Sequence, residues 1–264
     1  MEIIVCIKQV PDTTDIKIDP ITNTLIRSGV PSIINPFDMY AIEEGLRIKE
    51  KTGGKVTIVS MGPPQVESAF KEAIALGADE CVLLSDRKFA GSDTLATSYV
   101  LSEGINKLED WDIIICGKQA SDGDTAQVGP GIAELLHIPQ ATYVKKIEAI
   151  DTDNKTITVQ KMTDSGTDTV ELKLPALITV VKEINDPRMP SLRGKMKAKK
   201  YVHKTLTADD LTAEPSRLGL DGSPTKVVRI FTPELKGEGE IYEGEVKDTA
   251  AVLAGKLKEL KIIN

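Results

Sequence analysis

Ile113-Ile114-Ile115-Cys116-Gly117-Lys118-Gln119-Ala120-Ser121-Asp122-Gly123-Asp124-Thr125-Ala126-Gln127-Val128 decides the fold class. Four apolar residues, three of them β-branched, follow one another without polar alternation. That is the pattern of a strand covered on both faces. A Gly-rich loop comes next, and then Val128, Ile132, Leu135 and Leu136 recur at helical spacing until Pro139 forbids more. The helix is expected to start at Thr125.

Similar runs lie upstream at Ile3 to Ile7, Val56 to Val59 and Cys81 to Leu84. Helical patterns separate them. The first follows Asn35-Pro36-Phe37, sets Met39, Ile42 and Leu46 on one face, and stops at Gly53-Gly54. The second opens with Pro63-Pro64, carries Val66, Phe70 and Ile74, and ends at Gly77. The third starts near Ser92-Asp93, a good N-cap pair, and runs through Leu95, Tyr99 and Leu101. Strand-helix alternation of this kind means right-handed βαβ units and a parallel sheet with helices on both faces.

From Ala141 the pattern changes. Lys155 to Lys161 and Thr167 to Lys173 alternate about Thr163-Asp164-Ser165-Gly166, which predicts an antiparallel hairpin extension within 142–175. Leu177 to Val181 resumes as a buried strand. After Lys200 core residues thin out. Residues 213–223 and 236–244 read as extended linker, and an amphipathic helix from Thr249 to Leu260 closes the chain. The division is therefore an α/β domain over 1–200 and a C-terminal arm over 201–264. Val252, Leu253, Leu257 and Leu260 would need another surface, such as a partner subunit.

At 264 residues the chain can bury a full core. A net charge of -7 and 4% aromatics speak against a nucleic-acid binder. No segment reaches the ~18 apolar residues that span a bilayer. Met1-Glu2-Ile3-Ile4-Val5-Cys6 has no basic leader and reads as the first core strand. Cys6, Cys81 and Cys116 sit in apolar runs without metal-ligand spacing, as packing residues of a cytoplasmic protein do.

In an open parallel sheet the ligand crevice lies beyond the carboxyl ends of the strands. The loop from Gly117 to Val128 is the candidate there: Gly-rich, dense in hydroxyls and amides, and leading into free helix N–H groups that favour an anion. A pyrophosphate would meet backbone donors and the Ser121 and Thr125 hydroxyls. Asp122 and Asp124 would accept ribose hydroxyls or face water. The pattern equally allows a turn capped by Asp124. GxGxxG and Walker motifs are absent, and His137 and His203 assemble no catalytic triad.

Asn185-Asp186-Pro187-Arg188-Met189-Pro190-Ser191-Leu192, with Met196-Lys197-Ala198-Lys199-Lys200 behind it, pairs two prolines with an apolar anchor and a basic tail. That is the makeup of a protruding loop over 184–200.

Four separated motifs occur here in the order found in electron transfer flavoprotein beta subunits, and the chain resembles that family over nearly its whole length. They are the Pro-Arg-x-Pro-x-Leu stretch, Gly117-Lys118-Gln119-Ala120 with Asp122 to Val128, Asn35-Pro36-Phe37-Asp38, and Cys6 with Met61 at strand ends. The resemblance implies a Rossmann-like sandwich of the adenine-nucleotide hydrolase type. It further implies an alpha-subunit partner holding a redox-active FAD. The nucleotide-contacting set it implies is Cys6, Asn35, Pro36, Phe37, Asp38, Met61, Thr94, Thr97, Gly117, Lys118, Gln119, Ala120, Ser121, Asp122, Gly123, Asp124, Thr125, Ala126, Gln127 and Val128. Partner docking falls to Arg188, Met189, Leu192, Arg193 and Lys195, with Leu192 inserted and the basic residues steering the encounter.

Within the family, simple carriers bind AMP here as an inert structural nucleotide, whereas bifurcating members bind a second FAD. Asp38 in place of cysteine, Val10-Pro11-Asp12-Thr13-Thr14 and Ser92 to Thr97 resemble the bifurcating group. That implies FAD on this subunit and electrons taken from NADH. Their recipients would be ferredoxin or flavodoxin and, through the alpha-subunit FAD, a flavin dehydrogenase of acyl-CoA or 2-hydroxy acid type. Enzymatic activity would belong to the complex, as NADH-dependent flavin oxidoreduction, with no catalytic side chain since the flavin carries the chemistry. The alternatives are an AMP-binding structural and docking subunit, and a nucleotide-binding module acting alone.

Overall fold

The computed structural model describes residues 1–12, 31–108, 110–228 and 239–263. Thr13 and Thr14 of the Val10 to Thr14 stretch, and residues 236–238 of the expected linker, lie outside the described residues. The first elements are β1 (Glu2–Cys6), the short pair β2 (Gln9–Pro11) and β3 (Ser32–Ile34), α1 (Pro36–Thr52), β4 (Lys55–Met61), α2 (Glu67–Leu76) and β5 (Glu80–Leu84). Then come α3 (Thr94–Ile105), β6 (Ile113–Gly117), α4 (Val128–Leu135), β7 (Gln140–Asp151), β8 (Thr156–Thr163), β9 (Gly166–Lys173) and β10 (Ala176–Val180). The chain continues with α5 (Leu192–Lys199), β11 (Lys204–Leu206) and α6 (Val246–Glu259).

Nine strands form one sheet in the order β11-β5-β4-β1-β6-β10-β7-β8-β9. Pairing is parallel from β11 to β7 and antiparallel across β7, β8 and β9, so the hairpin extends an otherwise parallel sheet. Alternate residues of each parallel strand feed opposite faces. Ile3, Val5, Ile113 and Ile115 pack with Phe70 and Leu46 under α1 and α2. Ile4, Ile114 and Val82 pack with Val100 and Ile132 under α3 and α4. Burial on both sides explains why these strands read as unbroken apolar runs. After β1 the chain adds β4 and β5 on one side, then crosses to add β6 and β10 on the other. The order therefore reverses between β1 and β6, where open α/β sheets bind ligands.

The structure departs from the sequence-based expectations at four places. Helix α4 begins at Val128, not Thr125, because Asp124 (φ 52°) and Ala126 (φ 55°) are left-handed and cannot enter a helix. The stretch expected as a Pro-rich loop becomes helix α5 at Leu192: Pro187 and Pro190 both precede the N-cap Ser191, whose hydroxyl accepts from Gly194 N at 2.9 Å. Helix α6 starts three residues early, at Val246. Finally, the first compact unit runs Met1–Val228, so residues 201–228 belong to it and not to the arm. Strand β11 pairs with β5, and Leu206, Ala208, Leu211 and Leu218 enter the second core. The second unit, Arg229–Asn264, contains α6, on which Val252 and Leu253 are exposed, as is Leu260 at its C-cap. Among the described residues no helix is long and apolar enough to cross a membrane.

Candidate functional site

At the sheet's reversal point Cys6 and Cys116 are register partners on β1 and β6, both buried. The Cys6 thiol contact, followed by burial and the nearby Asp38 charge, holds the Cys116 thiol well above its usual range. These are packing thiols, not nucleophiles.

Above them stands a polar cluster centred on Asn35, which is 1% exposed and directly precedes α1. Its amide nitrogen donates to Asp38 Oδ1 at 2.9 Å and to the Gln119 carbonyl at 2.8 Å. Its amide oxygen accepts from Ser121 N at 3.0 Å. One side chain thus ties the start of α1 to the Gly-rich loop 84 and 86 residues away. Asp38 also accepts from Lys8 N at 2.7 Å. Burial pushes the Asp38 carboxyl up from 3.8 to about 7, against the pull of the Lys8 and Gly117 N–H groups, the Asn35 amide and the Lys8 charge. Gly117 is required by close approach: a Cβ there would collide with the Asp38 carboxylate and lie 2.7 Å from the Phe37 carbonyl carbon.

The loop itself is exposed from Ser121 to Thr125. Its two acids are engaged, Asp122 with Lys8 Nζ at 2.6 Å and Asp124 with the Gln119 amide. Asp124 is therefore not the helix cap. The N-cap of α4 is Gln127, which makes no side-chain capping bond, so the first N–H groups of α4 keep their anion-binding capacity. Gly129 lets that helix start sit tightly on the sheet, since a Cβ would lie 2.7 Å from Thr179 Cγ2. Gly123 has open space around it.

Of the expected nucleotide-contacting residues, Asn35, Asp38, Gly117, Gln119 and Ser121 are in direct mutual contact, with Pro36, Phe37, Lys118 and Ala120 between them in sequence. Cys6 lies beneath, at the end of β1. Thr125, Ala126, Gln127 and Val128 carry the loop into α4. Met61 ends β4 and packs against the second core. Thr94 and Thr97 stand half-buried in the first turn of α3, whose N-terminus is capped by Asp93 Oδ1 on Leu95 N and Ala96 N. Asp93 Oδ2 is meanwhile taken by Thr225, so residues of the 201–228 segment close that helix start. Lys8 was not among the expected residues. Its position directly after the first strand was the available signal.

Away from this edge, Met189 is 86% exposed and Leu192 78%. Arg193 and Lys195 are exposed beside them. Arg188, expected to face a partner, turns inward instead. Its guanidinium donates to Glu43 Oε2 at 2.7 Å and Oε1 at 3.2 Å, and to Glu50 at 2.5 and 3.1 Å. Burial works against the Glu43 charge, but hydrogen bonds from Arg188 and Arg47 outweigh it and hold that carboxyl below its usual range. Arg188 fixes the base of the segment and leaves its apolar tip displayed.

An uncapped, Gly-rich helix entrance at the reversal point of an open α/β sheet stands where proteins of this class bind their ligands. Comparison with known proteins narrows the class. The model of the electron transfer flavoprotein domain matches residues 22–211. The chain is 54% identical to an electron transfer flavoprotein subunit beta of Thermoanaerobacterium thermosaccharolyticum, over 100% of both chains. It is 48% identical to the caffeyl-CoA reductase-Etf complex subunit CarD of Acetobacterium woodii, again over 100% of both. With protein FixA of Azotobacter vinelandii it shares 45% identity over 97% of this chain and 94% of the other. The chain belongs to the electron transfer flavoprotein family, among the beta subunits.

Proposed function

We propose that the chain is the beta subunit of a heterodimeric, cytoplasmic electron transfer flavoprotein that holds FAD at the β1/β6 reversal point. In this reading it relays electrons between NADH, ferredoxin or flavodoxin, the alpha-subunit FAD and a flavin dehydrogenase. The observation that carries the proposal is the Asn35 cluster, which braces a Gly-rich loop beside an uncapped helix start. The site fits a nucleotide. The start of α4 has no side-chain cap, the loop's acidic residues are already paired, and Gly123 has open space around it.

Bound FAD would supply the redox chemistry. The chain's residues bind and orient. The first turn of α4 and the Ser121 and Thr125 hydroxyls would receive the pyrophosphate, while Asn35, Asp38 and Cys6 would shape the wall beneath it. Met189 and Leu192 would anchor the dehydrogenase, with Arg193 and Lys195 steering it and Arg188 bracing the segment from behind. CarD's name, which joins a CoA-ester reductase to an Etf complex, supports a dehydrogenase of acyl-CoA type as partner.

The test is to co-purify the chain with its alpha subunit, separate the two under denaturing conditions and identify the nucleotide each releases. FAD from this subunit is expected. AMP would overturn the redox role and leave a structural, docking subunit.

A further inference from the structure

Helix α5 displays Leu192 and Met196, one turn apart and both exposed, and is itself held from behind. Gly194, Lys197, Ala198 and Tyr201 recur at the i, i+3, i+4 and i+7 spacing of one helix face. Tyr201 lies past the end of α5, but its N–H on the Ala198 carbonyl at 3.2 Å continues the turn. Ala198 is buried in the core under α1 and α2. The other three meet a single stretch, residues 75–81, which ends α2 and begins β5.

Each of these three contacts is made to the main chain. Gly194 lies so close to the Ala75 carbonyl that a Cβ would collide with its oxygen. The Lys197 ammonium donates to the Ala78 carbonyl at 3.1 Å, just past the end of α2. The Tyr201 hydroxyl accepts from Cys81 N at 2.6 Å. Main-chain groups of a packed helix and strand are a fixed reference, so α5 takes its position from the rigid body of the fold. Glycine inside a helix costs stability relative to alanine, and the approach to Ala75 is the physical reason for it here.

We propose that Gly194, Lys197 and Tyr201 are positioning residues for docking, which seat α5 on residues 75–81 and hold Leu192 and Met196 as a preformed ridge. The partner then meets an ordered helix face and loses little entropy in fixing it. This rests on the reading of Leu192 as the anchor for the dehydrogenase.

The test is steady-state electron transfer between the purified two-subunit complex, as varied substrate, and an acyl-CoA dehydrogenase that reduces the wild type. Gly194→Ala is expected to raise the KM for the complex about ten- to a hundredfold, the effect of misplacing an apolar anchor. The kcat at saturation and the nucleotide released on denaturation are expected to stay the same. Tyr201→Phe, which loses one hydrogen bond and keeps the ring, and Lys197→Met are each expected to raise KM several-fold. They serve if Gly194→Ala fails to fold, and Lys197→Arg is expected to restore the wild-type value. A KM raised by Leu192→Ala but unchanged in the seat variants overturns the proposal. So does a parallel loss of kcat and bound nucleotide, since the seat would then support the whole fold and not the docking face. A KM that Leu192→Ala leaves untouched defeats instead the docking reading on which the seat depends.

Discussion

Two buried asparagines, each just ahead of a proline, organise the two regions proposed to face other molecules. Asn35 satisfies both ends of its amide, linking Asp38, Gln119 and Ser121. Asn185 donates to the Tyr40 carbonyl and to Glu44 Oε2, but its own oxygen finds no partner among the described residues. Helix α1 serves both, its first turn building the cradle and its middle holding the 185–192 segment. The difference teaches how each region would meet its ligand. A cradle is made by closing polar groups on one another so that backbone donors point one way. A docking segment is made by fixing its base and leaving the tip without partners, and here the tip is Met189 and Leu192.

The contrast is broken most directly by removing each amide. Asn35→Ala deprives the Asp38 carboxylate and the Gln119 carbonyl of a donor in a buried place. At ~1–3 kcal/mol per buried polar group left unmet, the expected loss is about 3–4 kcal/mol, together with loss of bound nucleotide. Asn185→Ala also leaves two acceptors without a donor, the Tyr40 carbonyl and Glu44, but removes an oxygen that was itself unmet, so it is expected to cost less, about 2 kcal/mol. Urea unfolding of both, read as midpoint shifts at constant m, decides the matter. Equal losses would show that the two amides do the same job.

The next effect is on pH. The Asp38 carboxyl titrates near 3.8 when unfolded and near 7 when folded, so the native state holds the proton more tightly. Its contribution is fully present below pH 3.8 and is lost as pH rises to about 7. Between pH 5 and pH 8 the folded state should lose roughly 2–3 kcal/mol through this group. Lys8 is the charged group that opposes the loss, and its pairing with Asp122 leaves it only partly available. Asp38→Asn should flatten the stability profile over that range. An unchanged slope would mean that another group sets it.

Third comes the brace of the docking segment. Breaking a fully buried ion pair costs ~3–5 kcal/mol. Glu43 is nearly enclosed, but a third of Arg188 and more than half of Glu50 meet solvent, so Arg188→Met is expected to cost about 2 kcal/mol. Proteolysis should then cut first between Asp186 and Ser191. Cutting elsewhere would mean that α5 holds the segment without this brace.

These expectations also show what was legible beforehand. The parallel strands were readable because burial on both faces leaves an unbroken apolar run. The reversal point follows from the ligand-bearing loops collecting after β1 and β6. The left-handed Asp124 and Ala126 were not legible, since neither is glycine, and they moved the start of α4 by three residues. Arg188 looked like a surface cation because its partners, Glu43 and Glu50, lie 138 to 145 residues away. Residues 201–228 were assigned to the arm because Leu206, Leu211 and Leu218 are too widely spaced to form a periodic pattern, yet each finds the core.

The smallest effect on stability should be the largest on partnership. Leu192 is the first residue of α5, is 78% exposed, and contributes little to the core. Leu192→Ala should therefore change the unfolding free energy by less than about 0.5 kcal/mol, the range of ordinary surface substitutions. The nucleotide released on denaturation should be unaltered, because the Asn35 cluster is untouched. Electron transfer to the dehydrogenase should slow at least tenfold, as expected when an apolar anchor leaves its pocket. Arg188→Met should slow it too, through disorder of the base, but only with a loss of stability that Leu192→Ala lacks. A Leu192→Ala variant that also releases less nucleotide would break the comparison, because cradle and docking tip would then be one cooperative unit joined through α1.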